Sequence, residues 1–376
     1  MPELGVYLHY PWCRKLCPYC DFAVEVGPPA HEAYLDAIVR ELELRAGAFT
    51  GELVSIYFGG GTPSLWRPDC IAAAIARIRE RFGGAPREIT LEANPRDCSD
   101  ANLAAWRAAG ISRISIGVQS FDPHELVVLG RDHRFGDGRA AIARTSGAGF
   151  ASSADFILGV TGVTGGAGGP STGPARIPIV DTSIDHLSIY ELTIEERTAF
   201  GQRVRDGRLV PLSEDILTEL YVAMHDHLTA LGYEHYEISS YARPGKRAIH
   251  NALYWRGAAF LGLGVGAASL ELFPDGSGRR TTNPRRAAAY LADPGTPAEV
   301  VTSPPGELAA DRAWLGLRTS EGVAEAELAR APGLADWLVA ERLAERRAGQ
   351  ICPTLRGFLM ADRIAARVVE TWDARL

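Results

Sequence analysis

A chain of 376 residues, 46% of them hydrophobic, is long enough to bury a full core and is sized for one large domain plus a smaller one. A formal charge of -7 gives no general attraction to nucleic-acid phosphates, and no apolar run approaches the roughly eighteen residues of a membrane span. Six cysteines are too sparse for a disulfide framework, and no basic region with an apolar core precedes Cys13 as a secretory signal would. The thiols are therefore expected to be reduced and the protein cytoplasmic.

The first expected strand, Gly5 to His9, runs into CRKLCPYC (13–20), where Cys13, Cys17 and Cys20 fall within eight residues. Three thiolates so spaced can ligate three irons of a [4Fe-4S] cube and leave the fourth open. A zinc site is the competing assignment, but structural zinc takes four ligands in two pairs, and the remaining Cys70, Cys98 and Cys352 are scattered singly. Further apolar runs read as buried parallel strands at Leu53 to Phe58, Glu88 to Glu92, Arg113 to Val118, Ala154 to Leu158 and His186 to Tyr190. Between them His31 to Arg45, Asp69 to Phe82 and Asp100 to Ala109 carry helical periodicity, the last with Ser99 as its expected cap. Strands recurring about every 35 residues are the rhythm of right-handed strand-helix-strand units. The expected fold is α/β, a partial six-stranded TIM-like barrel with a small, mostly helical C-terminal domain.

In such barrels the residues just past each strand face the ligand. After the second strand comes GGGTP (59–63), a weak signal alone, since a glycine turn is usually only a turn. Glu92 in LEANP ends the third strand, Gln119 in GVQSF ends the fourth, Arg131 follows in LGRDH, and Asp155 lies on the fifth. A carboxylate and an amide converge on one mouth.

The cysteine loop, GGGTPS, LEANP, GVQSF, LGRDH, HLSIYELTIEERT, HNALYW and LGLGVGAAS together resemble the HemN/HemW branch of the radical S-adenosylmethionine (SAM) proteins, from Tyr7 to about Ser269. The resemblance implies that the open iron chelates SAM. It implies that Tyr7 and Tyr19 flank the cluster and that Gly60, Gly61 and Thr62 contact the SAM amino group. Glu92 and Gln119 would hold the ribose hydroxyls, Arg131 would pair with the SAM carboxylate, and Asp155 would complete the pocket. Each role suits its side chain: a guanidinium is a two-pronged donor for a carboxylate, and an ionised carboxylate accepts from hydroxyls.

Within the branch, the oxygen-independent coproporphyrinogen III dehydrogenases remove carbon dioxide from propionate side chains, whereas the heme chaperones bind heme and hand it on. Only twelve residues precede Cys13, whereas the dehydrogenases carry a long N-terminal arm; Phe22 stands where they have a further cysteine; and His250-Asn251 to Tyr254-Trp255 resembles the HNxxYW motif of the chaperones. The implied cofactors are a [4Fe-4S] cluster, SAM and heme, and the implied partners are apo-hemoproteins. That leaves room for a homodimer and for peripheral contact with membrane hemoproteins. A radical enzyme acting on coproporphyrinogen is the alternative. His250 is the candidate axial ligand for heme, against the reading of a buried histidine that only hydrogen-bonds a neighbour; His9, His133, His186, His225 and His235 cannot be ranked behind it.

After the fifth strand the chain departs from the branch. Leu158 to Pro178 holds seven glycines and three prolines, so an irregular crossover is expected over Gly165 to Pro178. Ser213 to Leu231 reads as an amphipathic helix, Tyr233 to Ser239 as a strand, Phe260 to Leu270 as a glycine-rich segment closing the core, and Phe273 to Arg280 as a turn or hairpin. Pro297 to Pro305 reads as a linker, and the basic run Glu341 to Arg347 as a solvated face. The expected division is 1–240 for the barrel, 241–296 for a core-closing extension with the HNxxYW motif, and 297–376 for the C-terminal domain, which by resemblance has winged-helix character.

Overall fold

In the computed structural model, which describes residues 1–160 and 184–373, all six expected strands form. They are β1 (Glu3–Tyr10), β2 (Glu52–Gly60), β3 (Glu88–Ala93), β4 (Arg113–Gln119), β5 (Ala151–Leu158) and β6 (His186–Glu191), each parallel to the next. Helices α1 (His31–Arg45), α2 (Pro68–Phe82), α3 (Asp100–Ala108), α4 (Pro123–Val128) and α5 (Asp137–Gly147) lie between them. The expected periodic faces are the buried ones: Tyr34, Ile38 and Leu42 of α1 and Ile71, Ile75 and Ile78 of α2 pack on the strand core. Ser99 accepts from the Asn102 amide and so caps α3 as its position predicts. The crossover expected to be irregular over Gly165 to Pro178 lies outside the described residues.

Beyond β6 come α6 (Ala199–Arg205), α7 (Glu214–Ala230), β7 (Glu234–Glu237), β8 (Ser240–Ala242) and α8 (Ile249–Trp255), then β9 (Ala259–Gly264), β10 (Ala268–Leu272), β11 (Gly278–Thr282) and β12 (Glu299–Ser303). Among the described residues they build one twelve-stranded sheet in the linear order β12-β11-β10-β9-β1-β2-β3-β4-β5-β6-β8-β7. Two expectations are corrected here. The apolar segment beginning at Phe260 is not merely a closure but a seventh parallel strand, β9, seated on the free edge of β1 with Leu4 opposite Ala259 and His9 opposite Gly264. The supposed linker at Pro297 to Pro305 contains β12, antiparallel to β11, because its valine and threonine residues favour a pleated edge over an open chain.

The C-terminal part has its own apolar cluster, which includes Leu317, Leu334, Leu338, Leu343, Ile351, Ile364 and Val368. Helices Pro305–Gly316, Leu334–Ala340, Leu355–Leu359 and Ala361–Thr371 are joined there by a small antiparallel sheet of Val323–Ala324, Gln350–Pro353 and Ala344–Arg347. The residue pattern did not show the sheet, although the winged-helix resemblance implies one. Its hairpin turns at Ala348 and Gly349, both at positive φ, inside a run whose charges hide the strand pattern. Arg346 pairs with Glu325 and Asp336, and Arg347 with Glu345, so the basic run is a solvated face.

One buried ion pair carries consequences for the site. Glu88 on β3 meets Arg113 on β4 at 2.7 Å, both side chains nearly inaccessible. The other Glu88 oxygen accepts from the amides of Ile249 and His250, at 3.1 and 3.2 Å, and so serves as the N-terminal cap that α8 does not supply for itself. Replacing Glu88 by alanine strands the Arg113 guanidinium in the core and uncaps α8. Thermal unfolding is expected to show a loss of about 3–5 kcal/mol; a loss below about 1 kcal/mol would mean that solvent reaches the pair.

Candidate functional site

The carboxyl ends of the parallel strands open on a cavity of about 570 Å³. Its walls include Cys13, Cys17, Tyr19 and Cys20 from the loop after β1, Gly60, Gly61 and Thr62 after β2, Glu92 from β3, Gln119 from β4, Arg131 from the turn after α4, and Asp155 from β5. Every residue expected at the mouth is there except two. Tyr7 stands behind Gly59, its ring stacked on Tyr57 at 6.0 Å and its hydroxyl 3.1 Å from His9 Nδ1. His250 lies beneath Tyr57, buried, and no histidine lines the cavity among the described residues.

The cysteine loop is tied down from both sides. The backbone carbonyls of Tyr10 and Trp12 accept from the amides of Gly61 and Thr62, at 2.7 and 3.0 Å. Gly61 has to be bare, because a Cβ there would stand 2.9 Å from the Pro11 backbone. Between the first two cysteines, Arg14 makes a two-pronged ion pair with Asp97, which also accepts from Ser64 Oγ at 2.7 Å. Thr62 Oγ1 sits 3.4 Å from Cys13 Sγ, and Arg131 Nη1 sits 3.6 Å from Cys17 Sγ and 3.4 Å from the Tyr19 hydroxyl. Arg131 Nη2 donates to the Gly117 carbonyl at 3.0 Å, while its Nε is buried without a partner among the described residues. Burial pushes the Cys13 thiol up to about 11 and raises that of Cys20, so these sulfurs stay protonated until a metal displaces the proton.

Two carboxylates share the cavity with that guanidinium. Glu92 Oε1 accepts from the Tyr57 hydroxyl at 2.8 Å and Oε2 from the Gly60 amide at 3.2 Å. A side chain at Gly59 would come within 3.1 Å of Glu92, and Gly60 holds φ +109° beside the His9 ring, so the glycines make room for the carboxylate. Asp155 accepts from Ser115 at 3.1 Å and also from Ser188. Burial, reinforced by the Asp155 charge, pushes Glu92 up to about 7; burial pushes Asp155 up to about 6 against the hydrogen bonds from Ser188 and Ser115. Gln119 sits at a bulge of β4 with φ +65°, a conformation non-glycine residues seldom adopt, and it is turned into the cavity wall there.

Sequence reasoning missed Ser115, Tyr190, Asp132, Lys15 and Arg285, all of which line the cavity. Tyr190 at the end of β6 had a signal, since the carboxyl end of a parallel strand is where ligands sit; Arg285, beyond β11, had none. His250 departs from its expected role. Its Nδ1 is 2.8 Å from Ser55 Oγ and its Nε2 is 2.9 Å from the Tyr254 hydroxyl, so neither nitrogen is free for an iron. Of the other histidines, His9 binds the Ala23 carbonyl, His186 binds Tyr236, His225 and His235 bind each other, and His133 is buried.

Residues 7–166 match the family model described as the radical SAM superfamily. The class this barrel and its three-cysteine loop define is that of the radical SAM proteins. The chain is 36% identical to "Heme chaperone HemW" of Escherichia coli over 77% of this chain and 76% of that one. It is 37% identical to the protein of the same name from Mycobacterium tuberculosis over 70% and 68%. The solved structure of coproporphyrinogen III oxidase (HemN) from Escherichia coli superposes with a TM-score of 0.78 at 22% identity, covering 98% of this chain and 90% of the other. The chain belongs to the HemW family of the radical SAM superfamily.

Membership implies a [4Fe-4S] cluster and SAM as cofactors. The residues present suit both. Three thiols line one cavity with a buried guanidinium whose Nε lacks a partner among the described residues, bare glycine backbone and two hydroxyl-accepting carboxylates. Among the described residues no three His, Cys, Asp or Glu side chains converge as ligands of a single ion, and a cube needs its sulfurs spread.

A carboxyl group whose folded value lies above its ordinary 4.5 binds more protons in the folded state than in the unfolded one between about 4.5 and 7. Its contribution to stability is complete below that window and is lost as pH rises through it. Melting of the ligand-free protein is therefore expected to show Glu92→Gln gaining on the wild type between pH 5 and pH 8. An equal difference at both pH values would place Glu92 at its ordinary value.

Proposed function

We propose that this protein is a heme chaperone, which holds a SAM-ligated [4Fe-4S] cluster in the barrel mouth, binds heme, and passes it to apo-hemoproteins. The observation that carries the reading is the identity to proteins named "Heme chaperone HemW" over most of both chains. Phe22, on the cysteine loop, supports it. The likeness to coproporphyrinogen III oxidase is one of fold.

In this reading Cys13, Cys17 and Cys20 hold three irons of the cluster, and the fourth takes the amino and carboxylate groups of SAM. Gly60, Gly61 and Thr62 approach the amino group, Arg131 pairs with the carboxylate, Glu92 and Gln119 accept from and donate to the ribose hydroxyls, and Asp155 closes the wall. Tyr19 packs beside the cluster, whereas Tyr7 supports Tyr57 from behind. Bound together, cluster and SAM supply one-electron reductive chemistry. For heme, the cysteine loop offers an apolar face at the mouth. Leu16 and Phe22 both line the cavity and are 55% and 68% exposed, with Lys15 and Arg285 on the same wall. Two apolar side chains beside two cations suit a flat macrocycle that carries two carboxylates. The C-terminal segment 297–376 is the part we assign to the acceptor protein. No described helix is long and apolar enough to cross a membrane.

The deciding experiment is anaerobic. Protein reconstituted with iron and sulfide is expected to develop a Soret band on heme titration and to pass the heme to an apo-hemoprotein, with coproporphyrinogen III left unchanged. Turnover of coproporphyrinogen III without heme transfer would overturn the reading. Replacing Cys13, Cys17 and Cys20 together by alanine is expected to abolish iron and sulfide loading.

Phe22→Asp puts a charge where the macrocycle would lie. It is expected to weaken heme binding by about tenfold or more while the cluster spectrum is unchanged; an unaltered Soret titration would move heme away from this loop.

A further inference from the structure

The HNxxYW motif contributes no residue to the cavity. It lies on α8, directly behind β1 and β2. The imidazole of His250 fits where Gly5 has no side chain: a Cβ at Gly5 would stand 3.2 Å from His250 Cε1. Ser55 and Tyr254 hold its two nitrogens, at 2.8 and 2.9 Å, so the ring can neither tilt nor turn. Its face lies on the Tyr57 ring, with centroids 5.1 Å apart and planes 30° apart, and Tyr57 in turn donates to Glu92 at 2.8 Å. Glu88 fixes the start of α8 from the neighbouring strand. A continuous set of contacts therefore runs from the motif to a carboxylate on the cavity wall, and none runs from the motif to the cavity itself.

We infer that His250 and Tyr254 are positioning residues for Glu92, acting through Tyr57, so that the motif sets the affinity for SAM and does not ligate heme. The inference rests on the assignment of Glu92 to the ribose hydroxyls made above. The physical cause is direct. Among the described residues Tyr57 is the only side chain that donates to Glu92, and its ring is packed between the His250 imidazole and the Tyr7 ring while it does so. Without that face the ring gains room to swing, Glu92 loses a donor, and the neutral acid becomes the preferred form. A neutral acid accepts poorly from a ribose hydroxyl.

The test uses full-length protein with its cluster reconstituted, SAM affinity measured by calorimetry, and heme affinity measured by Soret titration. His250→Ala is expected to weaken SAM binding by about tenfold and to move the pH midpoint of SAM binding upward, with the heme titration unchanged. His250→Phe, which restores a flat face against Tyr57, should recover most of the SAM affinity. Tyr57→Phe combined with His250→Ala should be no worse than Tyr57→Phe alone, because both act on one contact. Weaker heme binding with unchanged SAM affinity in His250→Ala, or losses that multiply in the double variant, would overturn the inference. If His250→Ala does not fold, Tyr254→Phe carries the same expectations in milder form, since it frees one nitrogen of the ring. Glu92→Gln separates the two levels of the argument. If it leaves SAM affinity intact, the ribose assignment has failed; if it weakens SAM binding while the His250 and Tyr254 variants do not, only the positioning inference has failed.

Discussion

Glu92 lies inside the barrel with no cation against it, its oxygens held by the hydroxyl of Tyr57 and the amide of Gly60. A carboxylate withdrawn from water at such a place costs several kcal/mol unless its donors are already aimed. The surroundings are arranged to meet that demand. Gly59 and Gly60 leave out the side chains that would displace the carboxylate, β2 delivers the amide and the tyrosine from one strand, and α8 braces that tyrosine from behind. The pair of acids, Glu92 and Asp155, lines the same cavity as the buried guanidinium of Arg131, whose Nε has no partner among the described residues, so the polar groups of the ligand-free site are incompletely paired. In the proposed reading, a zwitterion with two ribose hydroxyls would supply what it lacks.

The cysteine loop is held just as firmly, and by different means. It has almost no regular structure of its own beyond the short pairing of Trp12–Cys13 with Glu25–Val26. Its geometry comes from neighbours: the Gly61 and Thr62 amides below, the Arg14 to Asp97 ion pair at one side, and Arg131 at the other. Glycine backbone after β2, an acid after β3 and a base after α4 thus reach the loop from three separate segments, which the parallel arrangement brings to one end of the sheet. The loop also carries the exposed Leu16 and Phe22 at the cavity mouth, so one short segment supplies both sulfur and apolar surface there.

A motif shared by similar sequences need not touch the ligand whose carriers it marks. HNxxYW has the residues of a heme site, an imidazole with aromatic neighbours, and its spacing reads equally well as a ligand or as a brace. Periodicity places His250 on a short helix; it says nothing about what lies across from that helix. The structure puts Ser55, Tyr57 and Gly5 there, and each closes a direction from which an iron would have approached.

The six barrel strands, the faces of α1 and α2, the cap at Ser99 and the cysteine, glycine, carboxylate and guanidinium groups of the cavity wall were legible in the sequence, because buried parallel strands are continuous apolar runs and ligand-facing residues sit just past their ends. The strands β9 and β12 were not, since glycine-rich and proline-flanked stretches look alike whether they pair or hang free, and only the open edges of β1 and β11 decide the matter. Nor was the C-terminal hairpin, whose charges mask its alternation. Local chemistry was enough to say which groups belong to the site. Which of them touch the cavity and which only hold another residue in place depends on contacts between segments as much as 195 residues apart, and those exist only once the sheet has brought β2, β3 and α8 together.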